Sequence, residues 1–363
     1  MNAQKLFEQK GLMLSNSKVA CIKTSPETVH GDYIRLLELA GSTEALDSTK
    51  ETFTAIDMSW HNHSPACSSS PWQLDGVIGA LIDSGISAGS VRALLNESAG
   101  IHKHFGEILN RFQLAAKKHD VVISHPGSDT QRTAFTPKNA TPTLSKALNN
   151  SISLPEGLAG ANLVLLPTMK THSALSIAGA TYTAFNTLFG KERHRALGSF
   201  DDALLETLAI TKDACPGTFA VMDASFSGDG AGPRRLMPRE TGFILASADP
   251  LALDAVAATM MGFDPLSISW IAQAHALKLG CGDPSLIEIV GDSWEGHELS
   301  YSAQSSALES VLWKLESSGS PLLNRLAVLF DDLFWYVPVA EKRMKPFKKS
   351  GWFKLFESYR KSG

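Results

Sequence analysis

The 363-residue sequence is poor in cysteine and in long apolar runs. Its four cysteines, Cys21, Cys67, Cys215 and Cys281, are far apart and form no C-x-x-C pair. This spacing excludes the usual patterns of a zinc ribbon, a thioredoxin-type couple and a ferredoxin-type cluster, and we expect isolated, reduced thiols. No run approaches the roughly 20 apolar residues of a membrane-spanning helix. Residues 1–18 lack the apolar core of a secretory signal, so we expect a cytoplasmic protein.

Several signatures of nucleotide and metal enzymes are also missing. No G-x-G-x-x-G follows the first predicted strand, and neither G-x-x-x-x-G-K-S/T nor H-E-x-x-H occurs anywhere. The sequence therefore gives no support to the standard dinucleotide-binding, P-loop and zincin classes.

The net charge of −4 conceals an uneven distribution. Residues 341–363 contain eight lysines and arginines against two glutamates, a net +6, which leaves −10 on the rest of the chain. Because nucleic-acid binding requires a basic surface on the body of a protein, we do not expect a nucleic-acid partner. A composition of 44% hydrophobic and 19% charged residues is typical of a globular protein.

Short runs rich in valine, isoleucine and leucine alternate with helical patterns. Strands are predicted at Val19–Lys23, Thr54–Met58, Val121–Ser124, Leu163–Pro167, Phe219–Asp223, Phe243–Ala246 and Ile287–Val290. Helices are predicted at Gly31–Leu39, Trp72–Asp83, Ala88–Asn96, Lys103–Lys118, Phe200–Thr211 and Pro250–Met261. This alternation predicts an α/β fold with mostly parallel sheet and helices on both faces. We expect two α/β subdomains, residues 1–160 and 161–300, and a helical extension over residues 301–363.

In the extension, leucines from Leu322 to Leu333 recur at helical spacing, and a basic segment with interleaved aromatic residues follows. Such a segment is typical of a peripheral membrane anchor, because its rings lie at the headgroup level and its cations meet anionic lipid. It is also typical of a helix packed on the acidic body or on a second subunit of a homo-oligomer. The sequence leaves both roles open for residues 341–363.

The densest group of chemically active side chains follows the predicted strand Leu163–Pro167. Lys170 and His172 come directly after it, and His194 and Arg195 lie about twenty residues further on. Ligands of parallel α/β sheets collect at the carboxyl ends of strands. Cations there neutralise an anion, and a histidine exchanges protons near neutral pH. We predict Lys170, His172 and His194 as catalytic residues and Arg195 as a ligand-binding residue.

A glycine-rich loop follows the predicted strand Phe219–Asp223. Its glycines, Gly230 and Gly232 among them, allow a close approach of the backbone to a ligand, and successive N–H groups there can form an anion nest. We predict ligand contacts from Asp223, Asp229, Gly230, Gly232 and Arg234. An ordinary turn is the alternative.

Two aspartates mark the beginning of the helix predicted at Pro250–Met261. Asp249 has the position of an N-cap, with Pro250 as the first helical residue. Asp254 lies about one turn into the helix. We include both aspartates among the ligand-binding candidates, with helix capping as the alternative.

A His-x-His pair follows the predicted strand Thr54–Met58. His61, His63 and Cys67 are ligand types suited to zinc, copper or nickel, although their spacing matches no strong zinc signature. They are the candidates for a divalent metal site.

Four motifs in a fixed order resemble the domain of unknown function 362 family. They are Leu166 to His172, Leu188-Phe189-Gly190 with His194-Arg195, Asp223 to Pro233, and Phe243 to Ala257 with Gly262-Phe263-Asp264-Pro265. The similarity extends more weakly from about Lys18 through Trp72–Gly76 to Gly291. The resemblance implies an α/β fold, but most reactions of the family are unassigned.

Some members carry ferredoxin-like iron–sulfur modules, and this sequence lacks the cysteine runs for them, so no iron–sulfur cluster is expected. Members usually have Lys-Asn before Leu-Phe-Gly, where this chain has Asn186-Thr187, and this removes one cation from the implied site. Members often have glutamate in the glycine-rich loop, where this chain has Asp229. A distant similarity to the nickel-pincer lactate racemase also implies roles for Lys170, His172 and His194.

The leading hypothesis is a cytoplasmic enzyme that binds a small anionic substrate or cofactor in an inter-domain cleft and carries out isomerisation or redox chemistry. One alternative is a non-catalytic binding or scaffold protein that docks through residues 341–363. The other is a metalloprotein that uses His61, His63 and Cys67.

Overall fold

The computed structural model describes residues 17–98, 100–127, 131–138, 143–297, 299–318 and 320–360. Its strands are β1 (Ser17–Lys23), β2 (Thr52–Ile56), β3 (Val91–Leu95), β4 (Ile123–Ser124), β5 (Arg132–Phe135), β6 (Ile152–Pro155), β7 (Asn162–Leu166), β8 (Thr168–His172), β9 (Ser176–Ala178), β10 (Gly217–Ala231), β11 (Arg235–Ser247) and β12 (Ile287–Gly291). Within these residues, ten strands form one sheet in the order β12-β1-β11-β10-β7-β2-β3-β4, with β8 attached to β10 and β9 to β8. Strands β5 and β6 form a separate antiparallel pair.

The α-helices come from both halves of the chain. They are α1 (Val29–Leu39), α2 (Ser42–Ala45), α3 (Pro71–Asp83), α4 (Lys103–Leu109), α5 (Phe112–Lys117), α6 (Thr143–Ala147), α7 (Ala180–Leu188), α8 (Phe200–Ala214), α9 (Pro250–Met260), α10 (Ser269–Ala276), α11 (Ala307–Glu316), α12 (Pro321–Phe330), α13 (Glu341–Arg343), α14 (Lys345–Lys349) and α15 (Gly351–Ser358). A 3-10 helix spans Lys191–Ser199, and a π-helical segment spans Asp331–Ala340.

Strand β7 shows why the central strands have nearly continuous apolar sequences. It pairs in parallel with β2 on one side and β10 on the other, and all five of its residues are buried. Leu163 and Leu165 belong to one hydrophobic cluster, and Val164 and Leu166 belong to another on the opposite face. Helices cover both clusters, so both faces of the strand must be apolar. The α/β class with a mostly parallel sheet is confirmed.

Two predicted helices are wrong in part. Val91–Leu95, inside the helix predicted at Ala88–Asn96, is strand β3, which pairs in parallel with β2. Its pairing and burial outweigh a weak local preference for helix. The single helix predicted at Lys103–Lys118 is two helices, because Arg111 has a left-handed backbone, with φ 63°, and interrupts the helical ladder.

Strands from the two predicted subdomains share one sheet. The boundary at residue 160 falls between β6 and β7, yet β7 pairs with β2, and β1 pairs with both β11 and β12. The two halves therefore do not form separate sheets.

The basic segment at the end of the chain packs on the body through its aromatic residues. Trp352, Phe356 and Tyr359 are buried in the cluster that covers the face of α1 and α3. The Tyr359 hydroxyl donates a hydrogen bond to Asp75 Oδ2 at 2.7 Å. Among the described residues, no helix is both long and apolar enough to cross a membrane.

Candidate functional site

A cavity of about 40 Å³ lies at the carboxyl edge of the sheet. The segments that follow β2 and β3 form one wall, and α7, the 3-10 helix and the turn between β10 and β11 form the others. Trp313, Glu316 and Asn324 close it from above. We call this space the carboxyl-edge cavity, and we call α11, α12 and the π-helical segment together the cover.

Strand β8 carries two of the predicted catalytic residues, and both are buried. The Lys170 ammonium donates to Asp57 Oδ2 at 2.5 Å, to the carbonyl of Cys67 at 2.8 Å and to Thr168 Oγ1 at 3.1 Å. All three donors of the ammonium are therefore used within the protein.

Asp57 connects this lysine to the cavity wall. Its Oδ1 accepts a hydrogen bond from Asn186 Nδ2 at 3.2 Å, and its Oδ2 accepts one from Ser59 Oγ at 3.2 Å. Asn186 and Ser59 both line the cavity. Lys170 therefore does not face the cavity. It holds Asp57, which in turn bonds to two residues of the cavity wall.

His172 lies behind the aromatic wall of the cavity and is not one of its lining residues. Its Nδ1 accepts the Ala174 N–H at 3.1 Å, so the neutral ring carries its proton on Nε2, and that nitrogen is buried without a partner among the described residues. The ring lies 5.0 Å from Trp313, nearly perpendicular to it, and 5.1 Å from Tyr182. Burial lowers its pKa to about 3, with smaller contributions from Lys170 and Arg234. At neutral pH His172 therefore presents a neutral N–H donor.

His194 lines the same cavity from the 3-10 helix. Its Nε2 lies 3.2 Å from Ser98 Oγ, and its Nδ1 is buried with no partner in the described ranges. Burial lowers its pKa to about 3, and the positive charges of Arg193 and Arg234 lower it further. The cavity is therefore lined by one neutral imidazole, His194, and a second, His172, lies behind its aromatic wall; each has an unused ring nitrogen.

Arg193 is a buried cation at the cavity wall, only 3% exposed. Its Nε donates to Asn186 Oδ1 at 3.0 Å, and its Nη1 donates to the carbonyls of Glu97 and Gly190. These acceptors are all neutral, and across the described part of the chain it has no carboxylate within salt-bridge distance. Burial lowers its pKa to about 10.

Arg234 joins the cavity to the cover. Its guanidinium forms ion pairs with Glu316 and, at 2.8 Å, with Asp331 Oδ2, while Arg235 Nε lies 2.7 Å from Asp331 Oδ1. All four side chains are buried. The charged groups around the site include four cations, Lys170, Arg193, Arg234 and Arg235, and four carboxylates, Asp57, Glu97, Glu316 and Asp331.

Several predicted ligand-binding residues lie away from this cavity. Arg195 is exposed and pairs with Glu192 at 2.8 Å. Asp229 pairs with Arg239 at 2.8 Å and accepts the Ser302 N–H. Asp223 is buried and accepts hydrogen bonds from Ser70 Oγ and the Ser225 N–H, and burial raises its pKa.

The two predicted glycines shape the hairpin between β10 and β11. Gly230 has φ 118°, and its carbonyl accepts a hydrogen bond from Thr171 Oγ1 at 2.7 Å. A Cβ on Gly232 would lie 1.9 Å from the Thr171 carbonyl oxygen, so only glycine fits there. Both glycines hold the hairpin against β8.

The two aspartates of α9 act as helix caps. Asp249 accepts the N–H groups of Leu251 and Ala252 at 3.0 and 3.2 Å. Asp254 accepts those of Ala180 and Thr181 at 2.6 and 2.9 Å and thereby caps the beginning of α7. Burial raises the pKa of Asp254 to about 6.

The three metal candidates face different neighbours. His61 Nε2 lies 3.2 Å from Asp332 Oδ2, the ring of His63 stacks on Phe356, and the Cys67 thiol donates to the carbonyl of Pro233 at 3.1 Å. Burial raises the pKa of Cys67 to about 12, which disfavours the thiolate that binds metals. In the described ranges, no group of three histidine, cysteine, aspartate or glutamate side chains is placed to hold a metal ion.

The comparison with family models gives one match for this region. The model named Domain of unknown function (DUF362) matches residues 59–259, which is more than half of the chain. The chain belongs to the DUF362 family. The DUF362 match contains Lys170, His172, Arg193 and His194, whereas the cover lies outside it.

A curated relative shares part of this DUF362 chain. Thylakoid-associated protein sll1697 from Synechocystis sp. is 28% identical over 157 residues, which cover 40% of this chain. The match spans about half, 49%, of the relative's own length. No solved structure matches the chain.

Sequence reasoning missed Asp57 and Arg193 as members of this site. Asp57 directly follows β2, and its position at the carboxyl end of a strand was the signal that could have identified it. Arg193 lies in the motif that supplied His194, but the exposed Arg195 was chosen instead. A 3-10 helix turns successive side chains in different directions, so spacing alone does not separate them.

Proposed function

We propose that this chain is an enzyme that binds a small organic anion in the carboxyl-edge cavity and exchanges a proton with it. The observation that carries the proposal is Arg193, a buried guanidinium whose hydrogen-bond acceptors are all neutral, beside the neutral His194 with its unused Nδ1. A buried cation without a direct counter-charge is unfavourable, and Asp57 and Glu97 act on Arg193 only from beyond salt-bridge distance. An anion in the cavity supplies that counter-charge.

The volume of the cavity limits the ligand. A space of about 40 Å³ holds about three water molecules, at roughly 10–15 Å³ for each. An anion of the size of acetate or glycolate therefore fits beneath the closed cover, and a larger one requires the cover to move.

The residues divide into binding, proton-transfer and positioning groups. Arg193 neutralises the anion, and the Nε2–H of His172 donates to it once the aromatic wall, which separates His172 from the cavity, has moved. A bound anion raises the pKa of both histidines from about 3 towards neutrality, because it stabilises their charged forms. This prepares His172 and His194 to move a proton, as isomerisation requires. Lys170 and Asp57 hold Asn186, and through it Arg193, in place.

A thermal-shift experiment with two neighbouring arginines tests this assignment. Acetate, glycolate and lactate raise the unfolding temperature of the wild type above that in equal chloride. Arg193→Met loses this rise, whereas Arg195→Met, which changes an exposed arginine of the same 3-10 helix, keeps it. An equal rise in both variants, or no rise with any of the three anions in the wild type, contradicts the proposal.

We also propose a second role, docking of the cover on an anionic membrane surface from the cytoplasm. The outer face of the cover presents an apolar stripe of six side chains that are each at least half exposed, Leu322, Leu326, Leu329, Leu333, Phe334 and Val337. Exposed lysines, Lys342, Lys345, Lys348 and Lys349, follow it directly. Apolar side chains beside cations are typical of membrane-surface binding. The name of the Synechocystis relative, which describes that protein as thylakoid-associated, agrees with this role.

Sedimentation with lipid vesicles tests the second role. The wild type sediments with vesicles that contain phosphatidylglycerol and not with pure phosphatidylcholine. The variant Leu329→Ser/Leu333→Ser stays in the supernatant, whereas Leu286→Ser, an exposed leucine outside the cover, sediments as the wild type does. Equal sedimentation of all three proteins contradicts docking through the stripe.

A further inference from the structure

A second and larger cavity lies at the opposite, amino edge of the sheet. Its volume is about 410 Å³, and it lies among the beginnings of β1 and β10, the end of β11 and the last turn of α8. We call it the amino-edge cavity. It shares no lining residue with the carboxyl-edge cavity, so it is a separate site.

Asp249 is the acidic residue of this lining, and groups within the protein already occupy its carboxylate with hydrogen bonds. The carboxylate of Asp249 accepts hydrogen bonds from Ser17 Oγ at 2.7 Å, from the Cys281 N–H at 2.8 Å and from the first amides of α9. It therefore caps the helix and fixes the cavity wall. Because it already occupies the amides at the beginning of α9, those amides do not provide the site for a ligand.

Three lysines line the cavity. Lys18, Lys212 and Lys278 come from β1, from α8 and from the loop that follows α10. In the ranges that the structure describes, none of the three forms an ion pair. With Asp249 as the acid of the lining, the cavity carries a net charge of about +2.

A buried hydroxyl also points to a ligand. Thr211 lines the cavity and is only 3% exposed, yet its Oγ1 has no hydrogen-bond partner in the part of the chain that the structure describes. A buried polar group without a partner is unfavourable, and a ligand that accepts its hydrogen bond removes the penalty.

The remaining wall is apolar. Leu208, Leu279 and Ala40 are buried side chains of this lining. The cavity therefore combines cations and a hydroxyl with a hydrophobic surface, and its volume is in the range of small-molecule sites.

We propose that the amino-edge cavity binds an organic phosphate monoester. The phosphate group, with a charge of about −1.5 to −2 near pH 7, matches the charge of the cavity and has three oxygens for the lysines and Thr211. The organic part packs against Leu208 and Leu279. A carboxylate offers only two oxygens and one charge, so it binds more weakly.

Isothermal titration calorimetry with phenyl phosphate, inorganic phosphate and benzoate tests this site. Phenyl phosphate binds the wild type more tightly than either of the other two probes, because it combines the dianion with an apolar group. The exposed lysines allow substitution without loss of the fold. Lys212→Met/Lys278→Met weakens the binding of phenyl phosphate at least about tenfold, since the loss of even one of its two charged hydrogen bonds changes the affinity about tenfold. Thr211→Val weakens it by a smaller factor.

Two controls separate this site from its surroundings and from the proposed function. Lys117→Met, which removes an exposed lysine elsewhere, and Arg193→Met, which alters the carboxyl-edge cavity, both bind phenyl phosphate as the wild type does. Absence of saturable binding to the wild type, equal affinity for the three probes, or wild-type affinity in the double lysine variant overturns the proposal. Loss of binding in Arg193→Met alone also overturns it, since this result places the phosphate in the other cavity.

Discussion

Replacing Asp331 by asparagine removes the negative charge that two buried arginines share. Asp331 is fully buried, and its two carboxylate oxygens accept from Arg234 Nε at 2.8 Å and from Arg235 Nε at 2.7 Å. Among the residues that the structure describes, only Glu316 then remains to form ion pairs with both guanidinium groups. Removing one partner of a buried ion pair costs about 3–5 kcal/mol, because the other charge stays buried. We expect a loss of this size in the free energy of unfolding.

An exposed ion pair of the same length provides the matched control. Arg195 and Glu192 are also 2.8 Å apart, but their side chains are 46% and 58% exposed. Exposed pairs contribute about 0–1 kcal/mol, so Glu192→Gln should change the free energy of unfolding by less than about 1 kcal/mol.

Denaturation by urea gives the free energies, and limited proteolysis reports the position of the cover. Asp331→Asn should expose the cover, residues 307–340, to protease before the sheet unfolds. If Asp331→Asn and Glu192→Gln lose similar, small amounts of stability, the buried ion pairs do not hold the cover over the cavity.

Two further predictions concern the tail and the pH dependence of stability. Tyr359→Phe removes the hydroxyl that donates to Asp75 at 2.7 Å. We expect the free energy of unfolding, measured by urea denaturation, to decrease by about 1.5 kcal/mol. A decrease below about 0.3 kcal/mol shows that this hydrogen bond does not hold the tail on the body. The pKa of His172 is about 3 in the folded protein, against 6.5 for a free histidine. As the pH falls below 6.5, the unfolded chain therefore takes up a proton on this residue that the folded chain excludes. The free energy of unfolding decreases as a result. Between pH 6 and 4, the free energy of unfolding of His172→Gln should therefore depend less steeply on pH than that of the wild type, by about 1.4 kcal/mol per pH unit. An equal slope in the two proteins shows that the folded wild type protonates His172 in this range.

The central strands could be predicted from the sequence, whereas their neighbours at the edge could not. Strand β7 has an uninterrupted apolar sequence because both of its faces are covered. Strand β3 includes the exposed Arg92, and its short sequence fits a helix as well as a strand. Its identity depends on pairing with β2, which is a tertiary contact and not a property of the segment.

The site could be predicted only in part, because burial, which depends on tertiary contacts, decides which side chains belong to it. Lys170 and His172 could be predicted because they follow one strand, His194 because it lies in the next motif of the same βα unit, and Arg234 because it follows a glycine-rich loop. Asp249 and Asp254 have the capping roles that the Asp-Pro pattern itself offered as an alternative. Arg193 differs from Arg195 only in burial, which the sequence does not reveal.

The most direct test of the proposed function observes the two histidines themselves. In protein labelled with ¹⁵N-histidine, and with resonances assigned through His172→Gln and His194→Gln, glycolate is titrated at constant ionic strength. The proposal predicts saturable shifts of the imidazole nitrogens of His172 and His194 and an increase of their pKa values above about 3. Unchanged resonances of both histidines at glycolate concentrations that saturate the thermal shift would contradict it.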